Sequence, residues 1–122
     1  MVNILKYISY SMKVRLLRKD TIEDFANAHA NGRNHFENFL FILKYADWVV
    51  PADIKRSYPG NLLSNGSDRV VFDVGGNGRN AFRVICKYAF GRKLIRLYVV
   101  WIGTHEEYNN LTPNYKLTVW KF

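Results

Sequence analysis

Two alternating segments in the second half of the chain place cations and an aromatic ring where a phosphate and a base could bind. Arg83 and Lys87 are an even number of residues apart, so both project from one face of a strand predicted over residues 81–90. Arg96 and Tyr98 stand on the same face if the next strand pairs in matching register. Such a face could hold phosphates by charge and a base by stacking, although basic residues are also ordinary on a solvated sheet face.

A second group with possible chemistry follows the longest apolar strand. His105 lies at the strand end, where a histidine can transfer protons near neutral pH, and Tyr108 shares its face if a helical turn begins there. Thr104 and Glu107 have the spacing of a capping box, which makes His105 an exposed first-turn residue. The two interpretations are compatible, because a capped turn also fixes the direction of His105.

The charge of the chain favours a polyanionic partner. The 122 residues contain 18 basic and 10 acidic side chains, which gives a net charge of +8 at pH 7. Seven basic residues lie between Arg69 and Arg96, and Asp73 is the one acid among them. This excess is expected for binding to nucleic acid, an acidic protein or an anionic surface.

Several classes of protein are excluded by composition. The single cysteine, Cys86, excludes an internal disulfide and a cysteine-rich zinc site, and its position predicts a buried packing residue. The three histidines show no metal-ligand spacing, so neither a metal nor another cofactor is expected. The sequence has no apolar run of 18 residues and no leader pattern. We therefore expect a soluble cytoplasmic protein with no membrane partner.

The secondary-structure elements that must position these residues change along the chain, from a helical periodicity of apolar residues to the alternation of strands. Asp20 is predicted to cap a helix over residues 22–30, and the apolar spacing predicts a second helix over 36–46. A short helical turn is expected at 51–55. Strands are predicted over 12–17, 69–74, 81–90, 94–102 and, as a further edge strand, 115–122.

This order predicts one α+β domain over residues 1–122, with residues 1–11 and 111–122 as extensions at its ends. Two N-terminal helices cover one face of a mainly antiparallel sheet and leave the other face to solvent or a ligand. Strict alternation in 94–102 puts Trp101 on the face of Ile95 and opposite Ile102. The glycines at 75–78 lack the lysine of a phosphate loop and predict a hairpin connection.

Several motifs together resemble the HigB-type toxins of bacterial toxin–antitoxin modules. The motifs, which agree in order and spacing over about residues 12–110, are Ala46-Asp47-Trp48, Pro51-Ala52-Asp53-Ile54-Lys55, Arg69 to Asn77, Phe82-Arg83-Val84-Ile85 and Ile102 to Tyr108. The resemblance implies a RelE-like fold and cleavage of messenger RNA, usually on the translating ribosome. It also implies an oligomer with a cognate antitoxin, often a helix-turn-helix protein that represses its own operon.

The resemblance selects Lys55, Arg83, His105 and Tyr108 as the catalytic candidates. Residues 78–81 lengthen the hairpin relative to the family pattern, which directs Arg79 toward RNA. Residues 1–11 and 115–122 lie outside the pattern. The complete set of expected RNA-binding residues outside the catalytic group is Arg69, Arg79, Lys87, Arg96 and Tyr98.

These candidate residues fit metal-free RNA cleavage, in which the ribose 2′-OH attacks the adjoining phosphate. His105 or Tyr108 would transfer protons, while Arg83 and Lys55 would bind the phosphate with help from Arg96. Tyr108 is a poor base at pH 7 unless nearby cations lower its pKa. Because Arg83 lies on the polar side of the alternation, its replacement is expected to leave thermal stability nearly unchanged.

Two other functions remain open from the sequence. The same basic face would serve a non-catalytic RNA-binding or ribosome-associated module. A toxin relative that has lost its activity and acts only as a protein partner would also keep these motifs. Cleavage mapping separates an enzyme, which leaves new 5′-OH ends, from a binding protein, which leaves RNA intact.

Overall fold

The structure, a computed structural model, describes residues 11–63, 67–76, 78 and 81–122. The predicted RNA-binding residue Arg79 and nearly all of the predicted extension 1–11 lie outside these ranges. The strands are β1 (Met12–Leu17), β2 (Asp47–Trp48), β3 (Gly60–Leu63), β4 (Arg69–Val74), β5 (Phe82–Phe90) and β6 (Leu94–Thr104). The helices are α1 (Lys19–Ala28), α2 (Arg33–Lys44), α3 (Ala52–Ser57), α4 (His105–Asn109) and α5 (Pro113–Thr118).

The six strands form one sheet in the order β2-β1-β6-β5-β4-β3. Short connections make β3, β4, β5 and β6 successive antiparallel neighbours, and β1 pairs antiparallel with β2. The β1–β6 pair is parallel, and the long chain between these strands supplies the crossover connection that a parallel pair requires. The mixed α+β class is confirmed, and the architecture is consistent with the RelE-like fold that the resemblance implies.

The larger core lies between the sheet and the helices α1, α2 and α3. Phe36, Phe39 and Leu43 recur at helical spacing and turn one face of α2 toward the strands, and Ile22 of α1 and Ile54 of α3 join them. Their partners on the sheet include Val70, Phe72, Val74, Phe82, Val84, Cys86, Ile95, Leu97 and Val99. The prediction that Cys86 is buried is confirmed, and burial raises the pKa of its thiol.

The opposite face of the sheet is not left to solvent, contrary to expectation. Val71, Ile85 and Trp101 form a second apolar cluster there, and Val119 from the end of the chain packs into it. The predicted strand over 115–122 is wrong, because this part of the chain begins with helix α5. Thr112 Oγ1 accepts a hydrogen bond from the backbone N–H of Tyr115 at 3.1 Å, which caps the helix start.

A β-bulge in β6 changes which residues face the helices. Cys86 pairs with Val99 and Ile85 pairs with Trp101, so Val100 is an extra residue. Before the bulge Ile95 faces the helices, whereas after it Ile102 does, and Trp101 lies on the opposite face. The strict alternation predicted for this strand is therefore wrong beyond Val99.

Helix α1 begins differently from the prediction. Arg18 precedes it in a left-handed conformation with φ 68°, and no side chain caps the helix. The Asp20 carboxylate instead contacts the Arg18 guanidinium at 3.2 Å, so the predicted cap at Asp20 is wrong. After α1 a 3-10 turn, Ala30–Gly32, leads into α2.

The turn between β4 and β5 contains two residues with positive φ. Gly75 has φ 86° and Gly76 has φ 84°, values that side chains with a Cβ rarely adopt. The strands on either side pair antiparallel. The prediction that this glycine-rich segment connects a hairpin is confirmed.

Candidate active site

A cross-strand row at one end of the second sheet face brings a carboxylate and a guanidinium together. Asp73 of β4 pairs with Arg83 of β5, and Arg83 pairs with Gly103 of β6. The Arg83 Nε atom lies 3.0 Å from Asp73 Oδ1. Because directly opposite residues share a sheet face, this pairing aligns the guanidinium with the carboxylate.

Arg83 is buried rather than solvated, with 4% of its surface exposed. Its Nη1 atom donates hydrogen bonds to the carbonyls of Gly76 at 3.0 Å and Phe82 at 2.9 Å. The expectation of an exposed polar position is wrong, because the guanidinium turns back onto the Asp73 carboxylate and the β4–β5 turn. The guanidinium therefore holds the β4–β5 turn and is expected to matter for stability.

Tyr108 of α4 is close enough to the same ion pair to interact electrostatically with both of its members. Burial raises the pKa of its phenol, the Asp73 carboxylate raises it further, and the Arg83 guanidinium opposes both. The Tyr108 ring is 6.1 Å from the ring of Trp101, and the Lys116 ammonium lies 4.1 Å from its centroid. The net effect is a raised pKa despite the nearby cation, so Tyr108 is a proton donor or a neutral hydrogen-bonding group at pH 7.

His105 is the first residue of α4, and the start of this helix is capped. Thr104 Oγ1 accepts from the Glu107 backbone N–H at 3.1 Å, and Glu107 Oε1 accepts from the Thr104 N–H at 2.8 Å. The predicted capping box is confirmed. The Thr104 N–H is also the main cause of a lowered pKa of Glu107. These bonds fix the direction in which His105 leaves the sheet.

The side chain of His105 has an unused polar atom. Its Nδ1 is buried and has no hydrogen-bond partner among the residues that the structure describes. Its backbone N–H donates to the carbonyl of Ala81 at 2.9 Å. Buried polar atoms are normally satisfied, and exceptions are often found at functional sites.

Trp101 and Gly103 support this site and were not selected from the sequence. A Cβ at Gly103 would lie 2.4 Å from Cη2 of Trp101, so the indole rests directly on the glycine. The bulge at Val100 turns Trp101 to this face. The signal in the sequence is a glycine that interrupts an apolar strand just before the Thr-His pair. Asp73 was also missed as a site residue, although it is the one acid among seven basic residues.

The other two histidines lie near the same end of the sheet. The His29 ring stacks on Phe25 at 3.8 Å, and its Nδ1 lies 2.9 Å from the Phe25 carbonyl. A Cβ built at Gly75 would lie 3.5 Å from the His35 ring. No group of three or more potential metal-ligating side chains is found in the described part of the chain.

Lys55 lies on α3, which approaches the same end of the sheet. The chain after α3 passes through Pro59, whose carbonyl accepts a hydrogen bond from the Asp73 N–H at 2.9 Å. The Lys55 side chain is exposed, and it forms no hydrogen bond or ion pair with any described residue. The structure thus places Tyr108 within electrostatic range of Arg83, and His105 lies on the same short helix as Tyr108. It shows no contact between these residues and Lys55.

The predicted RNA-binding residues occupy two different environments. Arg69 is 5% exposed, and its guanidinium donates to the carbonyls of Val119 and Lys116, which anchors the end of the chain. Lys87 contacts Asp68 at 3.5 Å and remains partly exposed. Arg69, Lys87 and Tyr98 form one cross-strand row, since Lys87 pairs with both of the others.

Arg96 lies far from Arg83 along the sheet. It pairs with Ala89, six residues beyond Arg83, which corresponds to roughly 20 Å along the strand. The basic face therefore contains two groups. We name Asp73, Arg83, His105 and Tyr108 the proximal cluster, and the more exposed side chains Arg15, Lys87, Arg96 and Trp120 the distal strip.

Comparison with known proteins identifies the family. A family model for the HigB toxin, described as the RelE-like toxic component of a toxin-antitoxin system, matches residues 33–111, more than half of the chain. Neither the curated proteins nor the solved structures contain a significant match. None of the helices in the described ranges is long and apolar enough to span a bilayer. The chain belongs to the HigB family of RelE-like toxins of toxin-antitoxin systems.

Proposed function

We propose that this toxin is an endoribonuclease that cleaves messenger RNA, on the translating ribosome, without a metal ion. The observation that carries the proposal is the family match, whose span contains Lys55, Arg83, His105 and Tyr108. The electrostatic interaction of the Tyr108 phenol with both members of the Asp73–Arg83 ion pair supports it, because proton transfer and phosphate binding need such groups within one site.

In the proposed reaction the ribose 2′-oxygen attacks the adjoining phosphorus, and the bond from phosphorus to the 5′-oxygen breaks. His105 accepts the proton of the 2′-OH, and the neutral phenol of Tyr108 donates a proton to the departing 5′-oxygen. The products are a 2′,3′-cyclic phosphate and a 5′-OH end. His105 and Tyr108 then return to their starting protonation by exchange with solvent. The raised pKa of Tyr108 is the reason for assigning it as the acid.

The cations are proposed to stabilise the charge that develops on the phosphate. The buried charge of Arg83 lies beside Tyr108 and is held in place by Asp73, so it acts without reorganisation. Lys55 is exposed on α3 and is proposed to contact a phosphate oxygen from the open side. Asp73 is a positioning residue in this scheme.

The proposed partners are messenger RNA, the ribosome and a helix-turn-helix antitoxin that forms an oligomer with the toxin in the cytoplasm. The net charge of +8 supports association with polyanions. It also supports electrostatic attraction of an acidic antitoxin segment, which would block activity by covering the basic face or by preventing entry into the ribosome.

The test is cleavage of messenger RNA with and without ribosomes, in the presence of a metal chelator, with chemical identification of the new ends. We expect 5′-OH and 2′,3′-cyclic phosphate ends. His105→Ala and Tyr108→Phe should each lower the rate by about 100-fold or more while the protein stays folded. Tyr115→Phe is the matched control, because it removes the hydroxyl of an exposed ring on α5, outside the proximal cluster.

Two results would overturn the proposal. Intact RNA that is nevertheless bound would identify a non-catalytic RNA-binding module. Cleavage at the full rate by folded His105→Ala and Tyr108→Phe variants would remove both residues from the mechanism.

A further inference from the structure

The end of the chain forms a fixed structure on the basic face, outside the family match. Val119 is buried in the second apolar cluster, and its carbonyl accepts a hydrogen bond from Arg69. The Lys121 N–H donates to the Val100 carbonyl at 2.9 Å. The residue between these two anchors, Trp120, therefore has a defined position on the sheet.

Trp120 differs from the other two tryptophans in its exposure. Trp48 and Trp101 are 1% and 6% exposed, whereas Trp120 is 51% exposed. Its ring lies 5.6 Å from the Tyr98 ring, and the Lys87 ammonium lies 5.3 Å from its centroid. An aromatic surface of this size, fixed from below and open to solvent, is suited to stacking with a planar group.

The basic side chains next to Tyr98 along the sheet favour an anionic ligand. Arg15 of β1 and Arg96 of β6 are direct neighbours on adjacent strands. Both are exposed, and neither forms an ion pair with another described residue. Like charges in this arrangement are unfavourable, and a bound anion would relieve the repulsion. Asp68, at 3.5 Å from Lys87, is the acid that contacts the strip.

We propose that the distal strip is a second RNA subsite, in which a base of single-stranded RNA stacks on Trp120 and nearby phosphates bind Lys87, Arg96 and Arg15. The inference rests on the proposed function, whose RNA substrate it extends beyond the cleavage point. The Lys87 row lies four residues from the Arg83 row along β5, or about 13 Å. One RNA strand can therefore contact both groups on the same face.

Intrinsic fluorescence tests this subsite directly, because Trp120 is the solvent-accessible indole among the three tryptophans. The probe is a 2′-O-methyl oligoadenylate of about twelve nucleotides, which fits the usual site sizes and lacks the attacking hydroxyl. A strand of the same length with abasic sites keeps the phosphates and removes the bases. We expect quenching by the first strand and none by the second.

Substitutions separate stacking from charge. Trp120→Leu should abolish the quenching and weaken binding of the oligoadenylate, measured by anisotropy of an end label, by about 5- to 150-fold. Trp120→Tyr keeps an aromatic ring and should restore most of the affinity. Phe41→Leu is the control, because Phe41 is an exposed aromatic residue on α2. Circular dichroism establishes that each variant is folded.

Equal quenching by the abasic strand, or unchanged affinity in a folded Trp120→Leu variant, would overturn the subsite. Quenching by a polyglutamate peptide but not by the RNA strand would also overturn it and assign the strip to an acidic protein. Cleavage of ordinary RNA is measured separately. Cleavage without quenching overturns only the subsite, and quenching without cleavage overturns only the proposed nuclease activity.

Discussion

The proximal cluster and the distal strip lie on the same sheet face and use their basic residues in opposite ways. Arg83 is buried, contacts the Asp73 carboxylate at 3.0 Å and donates to two backbone carbonyls. Arg96 is exposed at the other end of the face and stands beside Arg15 without an ion pair to any described residue. A buried, paired cation shapes a site, whereas an exposed cation adds to the attraction for a polyanion.

The comparison also separates two kinds of contribution to binding. In the proximal cluster, an ion pair and hydrogen bonds hold Arg83, and a capping box holds the start of the helix that carries His105 and Tyr108. In the distal strip, the subsite that we propose would use charge and one exposed indole over a larger area, which tolerates variation in RNA sequence. The two groups should consequently respond differently to mutation, salt and pH.

The largest difference is expected in stability. Arg83→Ala leaves the partly buried Asp73 carboxylate without its ion-pair partner and should lower the free energy of unfolding by about 3–5 kcal/mol. Arg96→Ala removes the same type of side chain from an exposed position and should change it by less than about 0.5 kcal/mol. Urea denaturation of both variants measures the difference. Equal effects would show that the two arginines do not differ in environment.

The burial of Arg83 illustrates what the sequence could not predict. Alternation correctly placed Arg83 on the face opposite Cys86, but it contained no information about what covers that face. Part of the cover comes from Tyr108, Leu111 and Val119, which are distant in sequence from β5. The same is true of Arg69, whose partners are carbonyls nearly fifty residues later.

Local patterns were predicted successfully where the relevant residues are close in sequence. The Thr104 capping box, the glycine turn after β4 and the burial of Cys86 depend on neighbouring residues or on simple alternation. The bulge at Val100 depends on pairing with β5, so a single strand does not reveal it. The helix after Thr112 was missed because the alternating residues near the end of the chain outweighed the Thr-Pro signal for a helix start.

The second expected difference is in salt dependence. Each exposed arginine that contacts a phosphate of single-stranded RNA contributes about 0.7 to the slope of log K against log salt concentration. Arg15→Gln and Arg96→Gln should each reduce the slope by about that amount, and the double variant by roughly twice as much. Arg33→Gln removes an exposed charge from the first turn of α2 and should leave the slope unchanged. If the slope is equal in all four variants, the RNA does not bind at Arg15 and Arg96.

The smallest expected effect concerns the pH dependence of stability in the proximal cluster. The pKa of Tyr108 is raised in the folded state, mainly by burial, so the neutral phenol favours folding. This contribution is complete below the unfolded value of about 10 and is lost as the pH rises through the folded pKa. The difference in free energy of unfolding between wild type and Tyr108→Phe should be constant from pH 7 to 9. Above pH 10 the wild type should lose stability relative to the variant. Urea titrations across this range measure it, and a constant difference at all pH values would contradict the burial of the phenol.

The parallel pairing of β1 with β6 has a consequence for the timing of folding. Lys13 pairs with Leu94, 81 residues later, and β6 then connects directly to His105 and Tyr108. At about 5–20 residues per second, a ribosome needs roughly 4–16 s to synthesise the chain between these two strands. During that interval β1 cannot be joined to the sheet, and the helix that carries His105 does not yet exist. The sheet that carries His105 and Tyr108 is therefore completed only after β6 has been synthesised, long after β1.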